Sequence, residues 1–299
     1  MSAAHETEDR AKGSILWSSA DGLRLHAIIY DPPSATQKLP VLCIPGLTRN
    51  ARDFEDLAPW LAGLGRRVIA IDLRGRGRSQ YDPKPANYRA ATYAQDVRRL
   101  LREQKIDRAH IVGTSLGGIV ALTLALGDRS LIAGAVLNDI GPRLGAAGLA
   151  RIASYAGRGV ATATDWPEAA RAVQQAYQTT FPRLTERDWI RLAHRSFKRT
   201  DDGQLILDYD PNIVRGGARA PSKLAEMVMW RAFERLAENG PTLVLRGALS
   251  DLFEQETLLR MKRVRPFLFA AEIEDVGHAP TLDEPQAREA LGAFFSLVD

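Results

Sequence analysis

The segment HIVGTSLGGIVALTLAL, residues 110–126, places one serine among glycines in the middle of an apolar run. Residues 113–117, GTSLG, fit the pattern G-x-S-x-G, with β-forming residues before them and a helix-like run after them. Flanking glycines let the chain turn sharply from strand to helix, so that the serine presents its hydroxyl above a sheet, near the positive end of the helix. The alternative is a turn whose small residues serve packing alone. Because of the strand and helix on either side, we interpret Ser115 as a nucleophile.

Strand-like and helical runs alternate on both sides of this segment. Residues 14–30 predict an antiparallel hairpin around Asp21-Gly22. After it, strand, helix and strand recur up to residue 139 and again from residue 241 to 298. Apolar strands joined by helical crossovers indicate an α/β fold with a mostly parallel twisted sheet flanked by helices. The strand-like runs lie at 39–47, 67–73, 109–114, 132–139 and 242–246, with a last one beginning at 267.

The alternation is interrupted in the middle of the chain. There the sequence shows helical patterns that carry three tryptophans, without apolar strand runs of the earlier kind. We expect these tryptophans to serve packing, and the whole stretch to be an inserted cap. The predicted organisation is a flexible tail at 1–13, an α/β core at 14–140 and 238–299, and a helical cap at 141–237.

The composition argues against several other classes of protein. With 299 residues, 45% of them hydrophobic, the chain can bury the core of one large domain. Its 40 basic side chains are scattered among 36 acidic ones, so nucleic acid is not an expected partner. Cys43 stands alone, which leaves no internal disulfide and no paired-cysteine metal site. The polar N-terminus does not resemble a secretory signal, and no run reaches about 20 apolar residues. A cytoplasmic protein with no membrane partner is therefore predicted.

A serine nucleophile requires a base and an acid that orients the base. Of the five histidines, His278 in DVGHAP directly follows the last predicted strand, at the edge of the sheet where Ser115 should emerge. We predict that it accepts the serine proton. Asp251 follows the strand 242–246 and lies between serine and histidine in chain order, which makes it the preferred acid. Asp139, in VLNDIGP, also lies at a strand end on this edge and is the alternative acid.

These motifs together resemble those of the α/β-hydrolase family. GTSLGG, LRGALSD, VGHAP and IDLRGRGRS carry the resemblance, which extends over residues 14–298 and points to capped esterases, lactonases and C–C hydrolases. It favours Asp251 as the acid, because LRGALSD matches the usual acid loop. The arginines of RGRGRS are expected in a solvated loop with structural salt bridges.

The resemblance also implies an oxyanion hole of two backbone N–H groups. One belongs to the residue after the nucleophile, Leu116, and the other to Leu47 in the loop IPGLT. The family usually has His-Gly at the start of this loop, whereas this chain has Pro45-Gly46. The departure leaves the backbone donor in place but changes the polarity of the loop.

The predicted function is that of a serine hydrolase with an acyl-enzyme on Ser115. A small to medium, mainly apolar small-molecule substrate, a carboxylic ester or a lactone, is expected, and a serine at this position argues against the branches of the fold that use an aspartate nucleophile. One alternative is hydrolysis of a C–C bond in a ring-cleavage diketone. Another is a non-catalytic receptor for a small ligand on the same fold. No metal and no organic cofactor is expected, since no cluster of residues has the spacing of metal ligands.

Overall fold

The computed structural model describes residues 12–156, 162–214 and 222–298. In chain order its strands are β1 (Lys12–Ser18), β2 (Arg24–Tyr30), β3 (Val41–Ile44), β4 (Val68–Asp72), β5 (Ala109–Thr114), β6 (Ile132–Asn138), β7 (Thr162–Ala163), β8 (Phe197–Arg199), β9 (Leu205–Leu207), β10 (Thr242–Gly247) and β11 (Phe269–Ile273). The helices are α1 (Leu57–Gly63), α2 (Ala90–Glu103), α3 (Leu116–Asp128), α4 (Ala146–Tyr155), α5 (Trp166–Tyr177), α6 (Glu186–Ser196), α7 (Lys223–Asn239), α8 (Gln255–Val264) and α9 (Pro285–Leu297).

Eight strands form the central sheet in the order β1-β2-β4-β3-β5-β6-β10-β11. The first two pair antiparallel, with Ser18 opposite Arg24, as the hairpin around Asp21-Gly22 predicts. Strand β2 is also antiparallel to β4, and all pairs from β4 to β11 are parallel. The predicted α/β fold with a mostly parallel sheet is thereby confirmed.

Helices cover both faces of this sheet. Alternate residues of β3 enter different apolar clusters: Leu42 packs with residues of α2, α3 and α7, and Cys43 packs with residues of α1 and α9. Every residue of β3, β4, β6 and β10 is buried, which accounts for their continuous apolar sequences. The carboxyl ends of the parallel strands therefore meet at one edge of the sheet, where loops bring polar side chains together.

The predicted cap segment holds more than helices. Besides α4, α5 and α6 it contains a small antiparallel sheet, β7-β9-β8, whose strands are too short to give a visible apolar run. Residues 223–237 of the segment lie in α7, which packs against α3 and β6 beside the central sheet. The domain boundaries at 141 and 237 stay a prediction. Residues 157–161 and 215–221 of the predicted cap, and 1–11 of the predicted tail, lie outside the described residues, whereas Lys12 and Gly13 belong to β1.

Two of the three arginines in the loop after β4 are buried, although a solvated loop with structural salt bridges was expected there. Arg74 and Arg76 are the two buried arginines of RGRGRS. The Arg74 guanidinium contacts three carboxylates, Asp96 at 2.7 Å, Asp82 at 2.5 Å and Asp21 at 2.9 Å. Its hydrogen bond holds the pKa of Asp21 well below the usual range. Arg74 thus joins the first hairpin, this loop and α2.

Among the described helices, none is long and apolar enough to cross a membrane.

We expect Asp96→Ala to lower the free energy of unfolding by about 2–3 kcal/mol, because the buried Arg74 would lose one of its three carboxylate partners and the acceptor of its Nε–H. Arg99→Ala, on the same helix, is the control. Its ion pair with Glu103 is exposed and contributes at most about 1 kcal/mol. Urea unfolding of both variants at neutral pH measures the two losses, and equal losses would contradict a structural role for the Arg74 cluster.

Candidate functional site

Ser115 stands at a sharp turn between β5 and α3. Its backbone has φ 51° and ψ −112°, a strained conformation for a residue with a side chain. The turn is possible only because its neighbours are glycines: a Cβ at Gly117 would lie 2.0 Å from the carbonyl oxygen of Ile44, and one at Gly113 would lie 2.6 Å from the backbone of Gly117. The predicted strand, turn and helix around the motif are therefore present, with the serine at the head of α3.

The side chain of His278 connects Ser115 to a carboxylate. Its Nε2 lies 2.7 Å from the Ser115 Oγ, and its Nδ1 lies 2.7 Å from an oxygen of Asp139. We assign the proton to Nδ1, since a carboxylate accepts hydrogen bonds, which leaves Nε2 to accept the serine hydroxyl. Three residues that are far apart in the sequence thus form one hydrogen-bonded chain.

Asp139 lies directly after β6 and is completely buried. The backbone N–H of Gly247 donates to one carboxylate oxygen at 2.8 Å, and the Ser250 hydroxyl donates to the other at 2.6 Å. With the His278 ring, three donors compensate its negative charge. Ser250 was not identified from the sequence. The only signal was its place in ALSD, in the loop that resembles the family's acid loop.

The structure corrects the preference for Asp251 as the partner of His278. Asp251 receives two hydrogen bonds from Arg151 of α4, from Nε at 2.7 Å and from Nη2 at 2.6 Å. These bonds lower the pKa of Asp251, and a third of its side chain is exposed. Asp139, the alternative acid, forms the hydrogen bond with His278 instead. The sequence could not show that Arg151, distant along the chain, binds the Asp251 carboxylate.

The loop after β3 lies against the nucleophile. A Cβ at Gly46 would be 3.8 Å from the Cβ of Ser115. Neither the Leu47 N–H nor the Leu116 N–H donates a hydrogen bond to any residue in the described ranges. The buried Arg76 holds this loop, because its Nε donates to the Leu47 carbonyl at 2.9 Å. Sequence reasoning missed this support, since it expected the arginine in solvent.

A cavity of about 110 Å³ opens beside Ser115 and His278. Five of its lining residues come from the segment predicted as the cap: Ile152, Tyr177, Phe181, Leu192 and Arg195. None of the three tryptophans of that segment is among the lining residues that the structure describes. The other apolar lining side chains are Leu47, Phe54, Ala279, Pro280 and Leu282, and the other charged ones are Arg49 and Asp53.

A second hydrogen-bonded series of serine, histidine and aspartate lies on β1, β2 and β4, at the antiparallel end of the central sheet. The Ser14 hydroxyl is 2.8 Å from Nε2 of His26, whose Nδ1 is 2.7 Å from Asp72. Ser14, however, is an exposed residue inside the edge strand β1, with no turn and no helix start at its position. It therefore offers a matched control for Ser115.

Comparison with known proteins agrees with this fold. The family model described as "Alpha/beta hydrolase family" matches residues 41–290, and the chain belongs to that family. It is 34% identical over 262 residues to the 3-hydroxybutyrate-oligomer hydrolase of Cupriavidus necator, covering 86% of this chain and 88% of the relative. It is 26% identical over 253 residues to an esterase of Mycobacterium tuberculosis, covering 83% of this chain and 79% of that relative. A solved alpha/beta hydrolase from Novosphingobium aromaticivorans superposes with a TM-score of 0.88 at 40% identity, over 95% of this chain and 98% of the other.

These relatives are named as hydrolases and an esterase, and the chain is a hydrolytic enzyme. The non-catalytic receptor considered from the sequence is therefore set aside.

We expect Asp139→Asn to lower kcat for p-nitrophenyl acetate by about 10⁴-fold, because an amide in this position would favour the wrong tautomer of His278. Asp251→Asn is the matched control and should retain kcat within about tenfold, since that carboxylate pairs with Arg151. Steady-state kinetics of both variants make the comparison. A large loss in Asp251→Asn with a small one in Asp139→Asn would reverse the assignment.

Proposed function

We propose that the protein is a serine hydrolase that cleaves carboxylic esters through an acyl-enzyme on Ser115. The observation that carries this proposal is the hydrogen-bonded chain from Ser115 through His278 to Asp139, with 2.7 Å at each step. The serine stands at the start of α3, and Ser115, His278 and Leu47 line one cavity. This combination of nucleophile, base, acid and donors is the one that acyl transfer requires.

Each group has a defined role in the proposed reaction. His278 accepts the Ser115 proton at Nε2 as Oγ attacks the ester carbonyl carbon, and Asp139 stabilises the imidazolium that forms. The N–H groups of Leu47 and Leu116 bind the oxyanion. His278 then gives its proton to the leaving alcohol, which leaves an acyl-enzyme. Water, deprotonated by His278, attacks the acyl carbon and releases the acid and the free serine.

The cavity supports a substrate of modest size. Its volume of about 110 Å³ suits short acyl and alcohol groups, and most of its lining is apolar. A lactone of similar size would react by the same steps, with the alcohol remaining attached to the acyl group. The Cupriavidus necator relative is named for hydrolysing 3-hydroxybutyrate oligomers, which makes esters of short hydroxy acids the first natural substrates to assay.

We expect Ser115→Ala to lower kcat for p-nitrophenyl acetate on the order of 10⁶-fold. A fluorophosphonate probe should label Ser115 in the wild type, and His278→Ala should abolish the labelling. Ser14→Ala is the control, because Ser14 has a similar histidine partner without the strand-to-helix turn; it should keep both activity and labelling. Intact-mass and peptide mass spectrometry locate the label. Equal rates in the wild type and Ser115→Ala would refute the proposed nucleophile.

A further inference from the structure

The cavity beside Ser115 has a charged side as well as an apolar one. Arg49, Asp53 and Arg195 line it together with the apolar residues already described. The charge of Arg49 is compensated locally, because its Nε lies 3.0 and 2.9 Å from the two carboxylate oxygens of Asp53. Arg195, on the cavity side of α6, has a less complete set of partners.

Arg195 is a buried cation, only 5% exposed. Its Nη2 donates to Asp56, and its Nη1 lies 3.8 Å from Asp283. Its Nε is buried and forms no hydrogen bond with any residue in the described parts of the chain. Leaving a buried N–H without an acceptor is costly and uncommon in proteins. A guanidinium that lines a substrate cavity and has an N–H without an acceptor is suited to binding a negatively charged oxygen of the substrate.

The charges around Arg195 leave room for one more anion. The carboxyl groups of Asp56 and Asp283 are close enough to influence each other's ionisation. Burial opposes ionisation of Asp56, but the charges of Arg195 and Arg191 and the hydrogen bonds to Asp56 together outweigh burial and lower the pKa of Asp56. Burial, together with the neighbouring Asp56, raises the pKa of Asp283 to about 6. Arg191 lies 3.4 Å from Asp56, and Arg288 lies 2.6 Å from Asp283. Two carboxyl groups thus face three arginines.

We propose that Arg195 binds a free carboxylate of the substrate, so that the preferred substrates are short esters which also carry a carboxylate. The inference rests on the proposed function of Ser115. Ser115 and Arg195 line the same cavity of about 110 Å³, so a small molecule can present its ester to Ser115 and its carboxylate to Arg195, with the carbons between the two groups inside the cavity. Leu192, three residues before Arg195 on the same face of α6, offers an apolar contact for those carbons. Esters of short hydroxy acids and half-esters of short dicarboxylic acids have this chemistry.

The test compares each carboxylate with its neutral amide. One pair, 3-(butanoyloxy)butanoate and 3-(butanoyloxy)butanamide, carries the group on the alcohol side. The other pair, methyl hydrogen glutarate and methyl 5-amino-5-oxopentanoate, carries it on the acyl side. Product release is followed by chromatography. We expect the wild type to prefer the carboxylate over the amide at least tenfold in kcat/KM in one pair, mainly through KM.

Arg195→Gln should reduce that preference to about one. Structural damage would lower kcat/KM for carboxylate and amide together and leave their ratio unchanged, so the ratio reports recognition. Arg195→Lys keeps a positive charge beside Asp56 but lacks the Nε–H, and it should show an intermediate ratio even if Arg195→Gln fails to fold. Arg191→Gln is the matched control, because Arg191 contacts the same carboxylate, is half exposed and is not among the cavity-lining residues; it should keep the wild-type ratio.

The outcomes separate the two proposals. If the wild type hydrolyses p-nitrophenyl acetate in a Ser115-dependent way but shows no carboxylate preference in either pair, the role of Arg195 is refuted and the serine mechanism stands. A wild-type ratio in both Arg195 variants would refute it as well. If none of these esters is hydrolysed through Ser115, the proposed function fails, and this inference fails with it.

Discussion

The hydrogen bond between His278 and Asp139 is the contact on which the proposed chemistry depends. Its length is 2.7 Å, and the carboxylate is completely buried. A buried carboxylate is costly unless donors surround it, and here Gly247 and Ser250 supply them besides the histidine. The compensated charge fixes the histidine ring, so that its second nitrogen faces Ser115. Without a carboxylate that accepts this hydrogen bond, the histidine ring would be free to rotate, and the serine would lose its base.

The fold brings this contact about through its strand order. Strands β5 and β6 are neighbours in the sheet, and β10 lies between β6 and β11. The loops after β5, β6 and β11, which carry Ser115, Asp139 and His278, therefore converge at one edge. Asn138, the last residue of β6, donates to the Pro280 carbonyl at 2.8 Å and so holds the histidine loop. In the segment predicted as the cap, the Thr180 carbonyl accepts the Gly277 N–H at 2.7 Å. Residues of the central sheet and of the predicted cap thus both hold the loop that carries His278.

Local patterns made the sheet, its flanking helices and the turn at Ser115 predictable, because burial on both faces and a glycine-flanked turn leave marks within a few residues. The sequence carries no such local signal for which side chains, distant along the chain, pair with each other. Asp139 and Asp251 both follow strands on the same edge, and the pairing of Asp251 with Arg151 depends on how α4 packs. The burial of Arg76 under the loop after β3 likewise depends on tertiary contacts, so a run of arginines resembled a solvated loop.

The segment predicted as the cap contributes Arg195 and several apolar residues to the cavity, whereas the proposed reacting groups come from loops that follow strands of the central sheet. The most direct test of the proposed mechanism is a crystal structure of the protein after reaction with a small alkyl fluorophosphonate. We predict phosphorus bonded to the Ser115 Oγ, a phosphonyl oxygen about 2.7–3.1 Å from the N atoms of Leu47 and Leu116, and His278 hydrogen-bonded to Asp139. Phosphorus on another residue, or His278 bonded to Asp251 in that adduct, would contradict it.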